Sequence, residues 1–215
     1  MEYDMRIVKL GTALMLGLGL AACASPETAS RNAPLDVLLS APAALPIHVQ
    51  EIRVSVPKSL KVSEANRYLP SGDIVWREEA PGDRHAQVKA ILETAFDRGA
   101  SSLPQGTVPV VLDVELERFH ALSEKARYTV GGRHGIRFSY VLRDAATGAV
   151  LTAPKSVDAS FRALGGQEAI NAERKGITQK VRITEHLAQV IREELSTGGG
   201  DPAQAVAMLR TLNRI

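Results

Sequence analysis

The residue best placed for covalent chemistry is Cys23, the only cysteine in a chain of 215 residues. It follows Leu20, Ala21 and Ala22 at the end of an apolar run. Small side chains at positions 21 and 22 let a peptidase bind the chain in extended form, and the thiol is then the nucleophile for a thioether to diacylglycerol. The second candidate group is basic: Lys125, Arg127, Arg133, His134 and Arg137 surround the glycines of residues 131–135. Glycine-rich turns expose backbone N–H groups and arginine grips phosphate through a bidentate fork. Arg127, Arg133 and Arg137 are therefore the candidate ligands for an anionic lipid headgroup. The competing and favoured reading is an ordinary hairpin whose basic arms balance an acidic neighbouring strand.

Other reactive patterns are missing from the sequence. There is no Gly-x-Ser-x-Gly elbow, no His-Glu-x-x-His helix and no phosphate loop. His48, His85, His120, His134 and His186 are scattered, and no two have the i, i+4 spacing of a zinc-binding helix. Glu78-Glu79 and Glu193-Glu194 are adjacent pairs whose side chains do not face each other, so they read as solvated charge. Trp76, the only tryptophan, is either a partner anchor or, the favoured reading, a core anchor. The expectation is a protein that is not an enzyme and takes no cofactor or metal.

The segment before Cys23 is an address. Arg6 and Lys9 give a positive start, residues 10–20 a short apolar stretch, and Ala21-Ala22 a small-residue cleavage site, the order of a secretory signal. The stretch is too short to span a bilayer, which needs about 20 apolar residues. With Cys23 it has the form of a bacterial lipoprotein signal, so residues 1–22 are expected to be removed; a start at Met5 would lose Glu2 and Asp4. Each buried methylene of an acyl chain contributes about 0.8 kcal/mol, and two or three chains hold stably. Ala24, where lipoproteins kept in the inner membrane often carry Asp, favours an outer-membrane anchor facing the periplasm.

Glu2, Asp4, Arg6 and Lys9 cancel, so removing the signal leaves the formal charge at +2. A nucleic-acid binder would show a concentrated basic face, and none is expected as a partner. With the thiol acylated no disulfide is possible, and the fold must be held by its core.

Residues 23–46, rich in Ala, Ser and Pro, read as the lipidated start and a tether; twenty such residues span roughly 25 Å as a coil and at most about 70 Å extended. Over 49–56, Ile52, Val54 and Val56 alternate with polar residues, the period of a half-buried strand. Asp83 is placed to cap a helix over 84–98, with Gly99 as its C-terminal cap. In the strand over 108–121, Val110, Leu112, Val114 and Leu116 share one face while Asp113, Glu115 and Glu117 share the other. Residues 126–130 and 136–143 look like hairpin arms, with Arg137 and Arg143 across from the acidic face. A strand over 149–161 interrupted near Pro154, helices over 167–174 and 177–195, a glycine linker and a last helix over 203–214 complete the chain. The expected fold is α+β, an antiparallel sheet with helices packed on one face, comprising a domain over 47–196 and a linker with a C-terminal helix over 197–215.

This order of elements, with Ile74-Val75-Trp76-Arg77, the helix carrying Val88, Ile91, Leu92 and Phe96, the long strand and the final helix, resembles the auxiliary lipoproteins of ABC-type lipid transport systems. It is also similar to small bacterial lipoproteins of unassigned function. The resemblance implies a non-enzymatic binding or assembly component that meets an envelope protein complex. A lipid- or ligand-binding carrier and a self-assembling structural lipoprotein are the alternatives.

Overall fold

The computed structural model describes residues 47–197. Cys23, the signal, the tether and the last helix lie outside these residues. The described elements are β1 (Ile47–Ser55), β2 (Ile74–Val75), α1 (Arg84–Ser101), β3 (Val108–His120), α2 (Glu124–Arg127), β4 (Gly132–Asp144), β5 (Lys155–Asp158), β6 (Phe161–Ala163), α3 (Gly166–Glu173) and α4 (Gln179–Ser196). The class is α+β, and the sheet is mostly antiparallel, as its alternating strands predict.

Two long central strands, β3 and β4, run antiparallel from Val110 opposite Asp144 to His120 opposite Gly135. At 13 residues each they reach roughly 40 Å. Each is flanked by two short strands in tandem. β1 lies parallel to β3 along Val108–Glu115 and β2 parallel to it at Phe119–His120, while β5 and β6 take successive stretches of the outer edge of β4. The parallel pairing of β1 follows from the crossover through α1, since a direct hairpin can only give antiparallel neighbours.

The alternation in β3 and β4 sorts the faces. Val110, Leu112, Val114 and Leu116 of β3 and Ile136, Phe138, Tyr140 and Leu142 of β4 are buried in one core with Val88, Ile91 and Phe96 of α1 and Ile183, Leu187 and Ile191 of α4. The other face carries Asp113, Glu115 and Arg143. Arg143 donates to Asp113 at 2.5 Å, so one of the two expected cross-strand charge matches forms. Arg137 is instead opposite Arg118 and Asp158.

Asp83 caps α1 as expected, its carboxylate accepting from Ala86 N at 3.1 Å. Gly99 does not end that helix. A Cβ at Gly99 would lie 2.4 Å from both Ala188 O and Ile191 Cγ2, so the absence of a side chain here lets α1 and α4 pack backbone to backbone.

The expected hairpin is also corrected. Tyr128-Thr129-Val130 has the composition of a strand, but Ser123 caps a short helix there, accepting from Ala126 N at 3.3 Å. Gly131, at φ +73°, returns its N–H to Ala126 O at 2.8 Å and closes the turn. A Cβ on the facing Gly165 would sit 2.1 Å from Gly131 N, so the two backbones touch. Gly132, Arg133 and His134 then belong to β4 and pair with β6.

Candidate functional site

The far end of β3, beyond His120, is built by a loop folded over from residues 57–73. Lys61 and Asp73 tie the loop to itself: Lys61 O accepts from Asp73 N at 2.8 Å and Asp73 Oδ2 from Lys61 N at 2.9 Å. Arg84, 4% exposed, clamps it from below by donating to Glu64 at 2.6 Å and to the carbonyls of Glu79 and Ala80. The Arg84 hydrogen bond holds the Glu64 carboxyl below its usual range. Arg77 bridges Glu64 and Glu124, and the Ser123 hydroxyl donates to Arg67 O at 2.5 Å. The histidines act in the same way. His85 meets Leu60 O, His120 meets Pro70 O and His186 meets Ala159 O, at 2.9 to 3.1 Å.

Trp76 is fully buried, edge-on to Phe119 at 5.8 Å between centroids, and donates from Nε1 to Glu79 at 2.9 Å. Burial pushes the Glu79 carboxyl up, but hydrogen bonds from Lys180 and Trp76 outweigh it and hold the group low. This is a core anchor and not an exposed partner surface.

The three candidate arginines are not brought to one face. Arg127, 8% exposed, places Nη2 2.5 Å from Glu173 and Nη1 3.6 Å from Glu78; it clasps α3 to the segment after β2. Arg133 and Arg137 belong to the exposed side of β4. Arg133 donates to Ser160 O at 2.8 Å, and both lie near Asp158, whose carboxyl is held low chiefly by Ser160 and to a lesser degree by these cations. The N–H groups at 132–134 sit in a strand pairing, so the glycine cradle expected around the arginines is absent from these residues.

Behind Arg127 is a small void of about 10 Å³ lined on one part by His134, Glu173, Gln179 and Arg182 and on another by Leu164, Ala169, Ala172 and Ile177. His134 is 1% exposed and its Nδ1 has no partner. Burial, followed by the charges of Arg182 and Arg127, pushes its pKa down to about 3. The imidazole is neutral at physiological pH and too weak a base for general base catalysis there, which needs a pKa near the working pH. The volume suits about one water. A larger recess of about 370 Å³ lies on the open face of the sheet, lined by Arg53, Ser55, Asp113, Glu115, Ser139 and Arg143 among others; the paired Arg143 and Asp113 are part of that lining.

The surface most unlike the rest is the tip made by residues 66–70 and 128–130. Leu69 is 89% exposed and Val130 74%, with Tyr68 and Tyr128 nearly half exposed beside them. Lys125 lies 4.7 Å over the Tyr68 ring, and its backbone N–H donates to Asn66 at 2.8 Å, so the two loops form one surface. Sequence reading misses this tip, because the 66–70 loop gains meaning only when Ser123 and Lys125 hold it against the segment that leads into β4.

The geometry describes an α+β domain whose buried arginines hold loops and helices in place, while the buried His134 leaves Nδ1 unpartnered. The chain belongs to a family of unknown function, DUF6778, whose model matches residues 47–211. That family, and not the ABC-type transport auxiliary family that the element order resembles, is the one the match assigns. No curated protein matches the chain. Among solved structures, it is similar to a candidate lipoprotein of Caulobacter crescentus CB15, with 19% identity over 51% of this chain and 80% of that one and a TM-score of 0.31. It is also similar to a DUF330 protein of Xanthomonas campestris, with 9% identity over 79% and 88% and a TM-score of 0.35. A minor lipoprotein of Acinetobacter baumannii matches with 12% identity over 68% and 91% and a TM-score of 0.27. Among the described residues no helix is long and apolar enough to cross a membrane.

Proposed function

We propose that this protein is a non-enzymatic envelope lipoprotein, held in the outer membrane by an acylated Cys23 and facing the periplasm, where it serves as a binding or assembly component of an ABC-type lipid transport system. The observation that carries the reading is the Leu20-Ala21-Ala22-Cys23 tetrad after a short apolar run, which supplies a thiol for acylation and no span. The site geometry bears on the non-enzymatic part of the reading. Arg127, Arg84, His85, His120 and His186 each hold a backbone or a carboxylate in place, and His134 is neutral and enclosed. Crosslinked affinity purification from the native envelope, with Cys23→Ala as control, tests the proposal. Recovery of transport ATPase, permease or substrate-binding subunits that depends on Cys23 supports it; recovery of lipid without such subunits moves the protein to the carrier class.

A further inference from the structure

The tip lies at the opposite end of the long strands from the point where the chain enters the domain. Ile47 pairs with Val108 at the start of β3, whereas Leu69, Tyr68, Tyr128 and Val130 gather beyond His120, roughly 40 Å away by strand rise. Apolar side chains exposed to the extent of Leu69 and Val130 protrude from the surface and line no recess. Two tyrosines with exposed rings flank them, the mixture of aliphatic, amphipathic aromatic and basic groups that suits a water–lipid interface.

Unpaired charge around the tip is mostly positive. Glu64 and Glu124 are paired with Arg77 and Arg84, Glu78 and Glu173 share Arg127, and Glu79 meets Lys180, while Asp73 accepts the Lys61 backbone N–H. Arg67, Lys125, Arg174 and Lys175 are exposed and take part in none of the ion pairs among the described residues. Tyr128 donates to Glu173 at 3.2 Å, and Arg174 and Lys175 follow that residue at the end of α3. An occupant of this tip must therefore accept both apolar insertion and positive charge.

We infer that the tip is a second membrane contact, which inserts Leu69 and Val130 into the surface of a bilayer containing anionic phospholipid while Arg67, Lys125, Arg174 and Lys175 meet its phosphates. A protruding tip suits a deformable surface better than a shaped protein pocket, and the uncompensated cations supply the complementarity. This contact requires no acyl group and stands apart from the anchoring of Cys23.

The test uses the chain from residue 23 onward with Cys23→Ser, so that acylation contributes nothing, in co-sedimentation with phosphatidylglycerol/phosphatidylethanolamine vesicles and with phosphatidylcholine vesicles. Binding to the anionic vesicles alone, weakened by added salt, is expected. Each basic residue near an anionic surface changes partitioning roughly five-fold, so R67A/K125A should bind about 25-fold more weakly, and L69D/V130D should lose binding altogether. All four positions are exposed, and the fluorescence of buried Trp76 reports whether each variant is folded. Equal binding to both vesicle types, or folded variants that bind like the parent, overturns the proposal. A photo-crosslinker at Leu69 that captures an acidic protein in the envelope while the chain ignores anionic vesicles overturns it in favour of a protein partner.

Discussion

Replacing Arg127 with alanine separates a structural clasp from a ligand-binding arginine. The guanidinium is nine-tenths buried between Glu173, at 2.5 Å and 26% exposed, and Glu78, at 3.6 Å and 16% exposed. An exposed ion pair contributes about 0–1 kcal/mol, whereas breaking a buried one costs about 3–5. Here the cation is dry and the carboxylates keep partial access to water, so a loss of about 2–3 kcal/mol is expected. Its effect concentrates on α3, which buries only Ala169 and has no side-chain N-cap; its ties to the rest of the domain are Glu173 to Arg127 and Tyr128 and the exposed Glu168–Arg162 pair. Amide hydrogen exchange of α3 should accelerate by roughly 30- to 150-fold, at about 1.4 kcal/mol per factor of ten, beyond any change in β3 and β4. A double-mutant cycle with Glu173→Ala should return a coupling of about 1–3 kcal/mol. Unchanged protection of α3, or a coupling near zero, would refute the clasp.

Gly99→Ala should destabilise the protein despite the gain of about 1 kcal/mol in helix propensity, because overpacking against Ala188 O and Ile191 costs about 1–3 kcal/mol or more; a urea midpoint at or above that of the parent would contradict the close crossing. His134, lowered to about 3 in the fold against about 6.5 unfolded, is protonated first in the unfolded state. Its contribution is present above pH 6.5 and is lost as pH falls toward 3, by about 2 kcal/mol at pH 5. His134→Phe should flatten the stability profile between pH 6.5 and 5, and an identical slope in parent and variant counts against the buried neutral ring. Trp76→Phe should cost about 1–3 kcal/mol by leaving Lys180 as the one remaining side-chain donor to Glu79 and opening a void beside Phe119; a change under 0.5 kcal/mol in chemical denaturation, followed by circular dichroism, would contradict its role as a core anchor.

Much of this fold is legible in the residue order because its signals are local. Val110 to Leu116 alternate strictly, Asp83 precedes an apolar stripe at helical spacing, and Asp144 with Gly148 announces a turn whose N–H groups at 146 and 147 do bond the Asp144 carboxylate. What misleads is local composition overruled by distant contacts. Tyr128-Thr129-Val130 has strand propensity, yet the Ser123 cap and the Gly131–Gly165 approach place it after a helix. Gly99 resembles a helix end only until α4 is packed against it. The functional surfaces are the least legible, because their contacts are remote in sequence. Ser123 meets Arg67 across 56 residues and Leu122 meets Gln179 across 57. Basic residues that look like one cluster in sequence are divided by β4, with Arg127 on its packed side and Arg133 and Arg137 on its exposed side.

The proposed function rests on Cys23 as the membrane anchor. Metabolic labelling of the native host with an alkyne fatty acid, followed by membrane fractionation and mass spectrometry of the N-terminal peptide, tests it most directly. The account predicts label on a chain beginning at Cys23, recovered in the outer membrane and lost in Cys23→Ala. An unlabelled parent chain, or label that persists without Cys23, would contradict it.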